Sequence, residues 1–435
     1  MKYLSIFASI TISIAMLSCS SSETEDLEEP MTVVNMVSES KPVVLTKEQR
    51  VFVNDNNSFT LKFLKTVNET DRSGKSFIYS PLSITYVLGM VNDAAIGKTE
   101  EEIEQTLGFH HGGIKAVNEF CKNLIDNLPK VDDKVTLNIA NAIFLNKGYT
   151  LKPQFKEDMK TYYDSQAETL DFSATKESAD VINKWCNEKT NGMIPNIIPM
   201  TEPYMVSYLL NAIYFKADWA SKFDPKYTKT ETFTTERGTE ELPMMHQNVL
   251  IQYYKNSDYS AIEMPYGNGY WKMTVMLPEE GKTTDDIINR MEKLGLEGHG
   301  FCGTMGDVYM PYEVDLKLPR YETSSDTNDL EGGLITLMNK LGINLAFDSN
   351  FAEIPNMCNV PVFISMMRQK AKIKVNEDGS EAAAVTIAGV ELTSMGPSEP
   401  PVYPKADFHA NRPFVYVISE ASSGTLLFVG KFTGE

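Results

Sequence analysis

Apolar residues recur at helical period from about residue 50, where Phe59, Phe63 and Val67 stand four apart on one predicted helical face. A second helix is predicted at SPLSITYVLGM, with Ser80 at the N-cap and Pro81 at the first helical position. A third is predicted at TEEEIEQTLG, with Thr99 and Glu102 as a capping box and Gly108 as its stop. The pattern then changes. LNIANAIFL (137–145) and YLLNAIYF (208–215) are near-continuous apolar runs, each broken by one Asn, as in a sheet covered on both faces. WKMTVMLP (271–278), YEVDLKLPRY (312–321) and VFISMMRQKAKIKV (362–375) predict further strands. RPFVYVISEASSGTLLFVGKF (412–432) predicts a strand, a turn at Ser423-Gly424 and a strand. Helices and strands without strict alternation predict an α+β fold with more than one sheet. No internal repeat appears, and no second linker precedes the Pro-rich patch at 397–404.

One stretch fits neither an ordinary core element nor a linker. Residues 376–396 read NEDGSEAAAVTIAGVELTSMG. At strand period one face is Ser380, Ala382, Ala384, Thr386, Ala388 and Val390, uncharged and small until Val390. The other is Glu381, Ala383, Val385, Ile387, Gly389 and Glu391, which begins and ends in a carboxylate. This is the pattern of a strand with one face in a tight slot. An Ala-rich helical turn is the alternative on this window alone.

With 435 residues, 42% hydrophobic, the chain can bury a sizeable core. A net charge of −19 disfavours nucleic acid and anionic membrane surfaces as partners. Lys115, Lys122, Lys130 and Lys134 are interleaved with carboxylates and read as a solvated face. At the N-terminus, Lys2 precedes a largely apolar stretch from Leu4 to Leu17, too short to span a bilayer and suited to a secretory signal. It ends at Cys19 and resembles a bacterial lipoprotein signal, with residues 1–18 removed and lipid attached to Cys19. The acidic SSSETEDLEEP that follows suits a solvated tether over 19–50 and resembles a surface-export signal. The expectation is an exported lipoprotein on the outer membrane, surface-exposed, or otherwise periplasmic or secreted. Membrane contact is then through the lipid alone. Cys121, Cys186, Cys302 and Cys358 lack metal-ligand spacing and read as separate buried thiols, although one disulfide would be possible in an exporting compartment.

Familiar catalytic patterns are missing. AIGKT (95–99) lacks the earlier Gly of a phosphate loop, since Asn92 stands there. There is no G-x-S-x-G elbow and no HExxH. His110 and His111 are adjacent, and His246, His299 and His409 are isolated. No enzymatic activity, cofactor or metal is expected.

Seven segments occur in an order that resembles the serpin family: FIYSPLSI (77–84), LNIANAIFL (137–145), INKWCNEKTNGMI (182–194), LLNAIYFKADW (209–219), VDLKLPRY (314–321), KAKIKVNEDGSEAAAVT (370–386) and FHANRPFVYVI (408–418). The resemblance spans residues 51–435. It implies three β-sheets, eight or nine helices and an exposed reactive-centre loop at about 377–407. In that family a serine or cysteine protease attacks the loop and forms an acyl-enzyme. The cleaved loop then inserts into the large sheet, and the protease is trapped. Glu377, Gly379, Ser380, Ala382, Ala383, Ala384 and Thr386 match the loop's hinge. The resemblance places the cut bond at Thr393–Ser394, with Leu392 and Met395 as alternates. Elastase-like, subtilisin-like or chymotrypsin-like targets are implied, papain-like enzymes as a further class, and a monomeric inhibitor. Arg320 and Glu377 match a pair where insertion begins, beside Trp219. Ser80, Ser83 and Asn211 match a polar cluster beneath the opening, and Gln369 stands where the family usually has His. A non-inhibitory binding or carrier protein of the same fold is the alternative.

Overall fold

The computed structural model describes residues 32–33, 41–296, 310–380 and 402–434. Its helices are α1 (Lys47–Thr70), α2 (Pro81–Ala94), α3 (Gly97–Leu107), α4 (Gly113–Asn127), α5 (Pro153–Tyr163), α6 (Thr175–Lys189), α7 (Thr284–Leu296) and α8 (Gly333–Leu341). Its first eight strands are β1 (Thr32–Val33), β2 (Phe77–Tyr79), β3 (Val135–Asn146), β4 (Ser165–Leu170), β5 (Ser207–Asp218), β6 (Lys229–Thr235), β7 (Gly238–Lys255) and β8 (Tyr259–Tyr266). The rest are β9 (Trp271–Pro278), β10 (Met310–Pro319), β11 (Tyr321–Asp326), β12 (Lys370–Val375), β13 (Gly379–Ser380), β14 (Lys405–His409), β15 (Phe414–Glu420) and β16 (Leu426–Phe432).

The strands form one sheet ordered β11-β12-β13-β5-β3-β4 and a ten-stranded sheet ordered β14-β10-β7-β8-β9-β15-β16-β2, with β1 and β6 also on β7. The second and third expected sheets therefore run together through the long strand β7, whose early residues pair with β6 and last residues with β8. The predicted strand at 312–321 divides. β10 belongs to the ten-stranded sheet and β11 to the six-stranded one, and Arg320 lies between them, its N–H donating to Pro243 O at 2.8 Å.

Helix α2 is buried on nearly every side, as expected of a helix apolar all round. It packs in the main core together with residues of both sheets, such as Ile213 of β5 and Val429 of β16. A smaller core, including Phe144, Phe172 and Ile182, lies between β3, β5 and α6.

Several boundaries differ from the sequence expectation. The globular unit begins before residue 51: Val43 and Leu45 are buried, and Thr46 and Gln49 form a capping box on α1. Ser80 occupies the N-cap of α2, but its hydroxyl donates to Leu427 O at 2.8 Å instead of capping. α3 starts at Gly97, so Thr99 and Glu102 are not its capping box. Both serve tertiary contacts instead: Thr99 Oγ1 accepts from Glu353 N, and Glu102 from the N–H groups of Asn344 and Leu345. Gly108 does end α3, at φ +82°, where Asp55 packs too closely for a side chain. Cys121, Cys186 and Cys358 are buried free thiols, and Cys302 lies outside the described residues.

Candidate functional site

The stretch predicted to be the hinge begins with a tight turn at Asn376–Gly379. Asn376 Oδ1 accepts from the N–H groups of Asp378 and Gly379, an Asx arrangement that reverses the chain. Strand β13 then slips between β12 and β5: Ser380 pairs with Val375 on one side, and Gly379 and Ser380 pair with Asp218 and Ala217 on the other. Gly379 has φ +150°, and a Cβ there would overlap Ala217 O and come within 2.8 Å of Trp219 N. Only glycine fits so close to a neighbouring backbone.

Trp219 fastens this turn. Its Nε1–H donates to Asn376 O at 2.9 Å and its backbone N–H to Asp378 O at 2.8 Å. The indole stacks on Tyr266, with ring centroids 4.3 Å apart, and Tyr266 OH shares a 2.8 Å hydrogen bond with Ser380 Oγ. Lys222 Nζ lies 2.9 Å from Asp218 and 3.3 Å from Asp378, so it ties β5 to the turn. Lys222, Tyr266 and Thr228, which meets Glu377, carry no local sequence signal for their contacts with the turn, because those partners lie more than a hundred residues away.

Arg320 and Glu377 pair as the resemblance implies. Arg320 Nε donates to Glu377 Oε2 at 3.1 Å, a guanidinium N–H donates to Oε1, and Thr228 Oγ1 donates to Oε1 at 2.7 Å. Burial pushes the Glu377 carboxyl up, but hydrogen bonds from Arg320, Thr228 and its own backbone N–H outweigh this and hold it below the ordinary value. A depressed carboxyl stabilises the fold above its unfolded pKa of about 4.3, and that contribution is lost as pH falls through the folded value. Glu377 is buried while Arg320 is half exposed, so solvent weakens the pair. Arg320→Ala is expected to lower stability by about 1–3 kcal/mol at pH 7, chiefly by leaving a buried carboxylate short of donors. The deficit should shrink when urea melts are repeated near pH 3.

Among the described residues, no strand continues β13 down the six-stranded sheet. The sequence predicts a strand over 362–375, but only Lys370–Val375 is laddered, against β11. Residues 362–369 are unladdered because no described strand lies between them and β5. β5 pairs with β3 along one edge from Ser207 to Ala217, and its other edge meets a described strand only at Ala217 and Asp218. The gap is a cavity of about 230 Å³, walled by β5 and 361–373, with Ser83, Ile84 and Val87 of α2 among its lining.

The predicted polar cluster is present but divided. Gln369 holds Ser80 in both directions: its Nε2 donates to Ser80 O at 2.7 Å, and its Oε1 accepts from Ser80 N at 3.1 Å. Ser83 N–H bonds back to Ser80 O at 3.1 Å, within the start of α2. Asn211, on β5, donates instead to Asn141 Oδ1 at 2.9 Å, and its own Oδ1 is buried without a hydrogen bond. All four residues line the cavity. Gln369→Ala would leave the buried N–H and C=O of Ser80 without these partners, and is expected to cost about 1–3 kcal/mol in a denaturant melt. The hinge residues Ala382, Ala383, Ala384 and Thr386, the positions Leu392, Thr393, Ser394 and Met395, and Cys19 lie outside the described residues.

The chain is similar to known proteins in sequence and fold. Residues 54–434 match the profile described as serpin (serine protease inhibitor). An uncharacterized serpin-like protein of Thermococcus kodakarensis is 32% identical over 392 residues, covering 88% of this chain and 86% of its own. Leukocyte elastase inhibitor of Xenopus laevis is 30% identical, covering 86% of this chain and 97% of its own. The crystal structure of human thyroxine-binding globulin superposes with a TM-score of 0.72 at 28% identity, covering 88% of this chain and 97% of its own. With a family match over residues 54–434 and a relative 32% identical across most of both chains, the chain belongs to the serpin family.

Proposed function

We propose that the protein is a suicide inhibitor of serine endopeptidases, and of papain-like cysteine endopeptidases as a further class. The observation that carries this is the two-residue strand β13 at the head of a slot that no other described strand fills. If its pairing continues, each further loop residue advances one position along both walls. Ala382 then lies between Phe215 and Ile373, Ala384 between Ile213 and Ala371, and Thr386 between Asn211 and Gln369.

Phe215, Ile373, Ile213, Ala371 and Gln369 are buried at these positions, and Asn211 lines the cavity. That face therefore needs the small uncharged side chains that the sequence supplies. Glu381 would lie on the opposite face, between Lys216 and Lys374, where its charge is complemented. Thr386 would bring a hydroxyl donor to Asn211 Oδ1. Cleavage at Thr393–Ser394, or beside Leu392 or Met395, frees the strand to enter with the acylated protease attached.

The test is a denaturing gel after mixing the full chain with neutrophil-type elastase, pancreatic elastase, chymotrypsin, subtilisin, trypsin and papain in turn. A detergent-stable band near the summed masses is expected with an elastase-like, subtilisin-like or chymotrypsin-like enzyme. The released C-terminal peptide should begin at Ser394. Loop cleavage without such a band, together with an unchanged melting temperature, would favour a binding or carrier protein.

The localisation belongs to the same proposal: a lipoprotein anchored through Cys19 and displayed on the outer membrane. Cells fed a labelled fatty acid should label the wild-type protein, and Cys19→Ser should abolish the label and release the protein from the membrane fraction. A labelled Cys19→Ser protein would exclude this anchor.

A further inference from the structure

A cluster of ligand-type side chains stands where the chain re-enters the fold after the loop. Phe408 is buried, so Asp407 and His409 point outward on either side of it. Asp315 points outward between buried Val314 and Leu316, and His246 between buried Met245 and Gln247. Parallel pairing of β14 with β10 sets Asp407 opposite Asp315, and β7 flanks β10 on its other side. His246 Nε2 lies 2.6 Å from Asp315 Oδ1, and His409 Nε2 lies 3.3 Å from Asp315 Oδ2. The His409 nitrogen is closed to solvent and faces the Asp315 carboxylate. One ligand atom each from Asp315, Asp407 and His409 falls within 4.8 Å of the others. The adjacent cation, Lys317, is already met by Glu231, 2.9 Å from its Nζ.

We propose that Asp315, Asp407 and His409 bind a divalent transition-metal ion of the zinc class, with His246 holding the second oxygen of Asp315. A mixed imidazole and carboxylate set suits such an ion, whereas calcium takes six to eight oxygens. The 3.3 Å between His409 Nε2 and Asp315 Oδ2 suits two metal bonds of about 2.1 Å, and the Asp407 oxygen, within 4.8 Å of both, would close in on the ion. A hydrogen bond from a neighbouring side chain to a ligating carboxylate is the usual outer support of such sites. β14 is an edge strand, joined to the sheet through β10 alone among the described strands. The ion would bridge those two strands and fix the far end of the loop.

The site should appear when the full chain is titrated with Co²⁺ and Zn²⁺. Co²⁺ is expected to give a visible spectrum without thiolate charge transfer, and Zn²⁺ to displace it. At zinc ten times the dissociation constant, amide exchange in Lys405–His409 should slow about tenfold. Asp407→Asn and His409→Ala should each lose the spectrum and the protection. Asp407 is exposed, so Asp407→Asn should melt like wild type in chelator. A second group, Asp55, His110 and His111, serves as the control, and His110→Ala/His111→Ala should leave both readouts intact. Absence of a spectrum, its persistence in Asp407→Asn and His409→Ala, or its loss in the control would each overturn the proposal.

Discussion

Ala384→Arg is expected to abolish covalent trapping and leave a protein that its target protease simply cleaves. Continued from the two residues already laddered, the register carries Ala384 between Ile213 and Ala371, both buried in the main core. Among the described residues no carboxylate lines the cavity to meet a guanidinium brought there, and burying such a group unpaired costs several kcal/mol. Trapping is a race between strand insertion and hydrolysis of the acyl-enzyme. Each ~1.4 kcal/mol added to the insertion barrier slows that branch tenfold, so a penalty of about 4 kcal/mol slows it roughly a thousandfold. The gel should then show cleaved inhibitor and no adduct. Glu381→Arg is the matched comparison. Its side chain would lie near Lys216 and Lys374 on the opposite face, and Lys374 is exposed. Solvent screens that repulsion to about 1 kcal/mol or less, so most of the trapping should survive. Equal trapping by the two variants would overturn the assignment of faces.

Cleavage of the loop should also raise the melting temperature, by about 10 °C or more. Before cleavage, β5 lacks a described strand partner along its slot edge from Ser207 to Lys216, and residues 362–369 carry no ladder. An inserted strand would pair with both edges and fill a cavity of about 230 Å³. It would also offer Thr386 to the unpartnered Asn211 Oδ1. A net gain of about 8 kcal/mol moves the midpoint by roughly 10 °C, because an unfolding entropy of about 2.1 cal/mol/K per residue comes to about 0.8 kcal/mol/K in a chain of this size. Differential scanning calorimetry before and after nicking by a non-target protease measures this directly. Nicked Ala384→Arg should show little of the rise, because its strand is blocked at the third inward position. A wild-type protein whose melting point does not move on cleavage would mean that the loop stays out, and the inhibitor proposal would fall.

The sequence by itself determined where the regular elements lie and which stretch is unusual. Strand period alone located β9 at its observed bounds, since Trp271–Pro278 is apolar and flanked by turn residues. Gly108 marked the end of α3 because glycine tolerates a left-handed conformation that most side chains resist. The small, uncharged face from Ser380 to Val390 was visible as composition, before any slot was known to receive it. Arg320, Glu377, Trp219 and Gln369 were assigned through family resemblance, since nothing local in the chain pairs residues so far apart. The local rules failed where tertiary partners competed for the same groups. Thr99 and Glu102 have capping-box spacing, yet the 344–353 segment takes both side chains. Residues 362–369 have the pattern of a strand and remain unladdered, because a ladder needs a neighbour as well as a propensity.

Only the tertiary structure decided the rest. It split 312–321 at Arg320 between two sheets, which puts the guanidinium beside Glu377. It brought Lys222, Thr228 and Tyr266 to the hinge, and it gathered His246, Asp315 and His409 from three strands. The physical reason is common to all of these. Helix and strand periods act over a few residues and are written in local side-chain order. Ion pairs, slots and ligand clusters depend on which distant strands become neighbours, and that is fixed by packing the whole core.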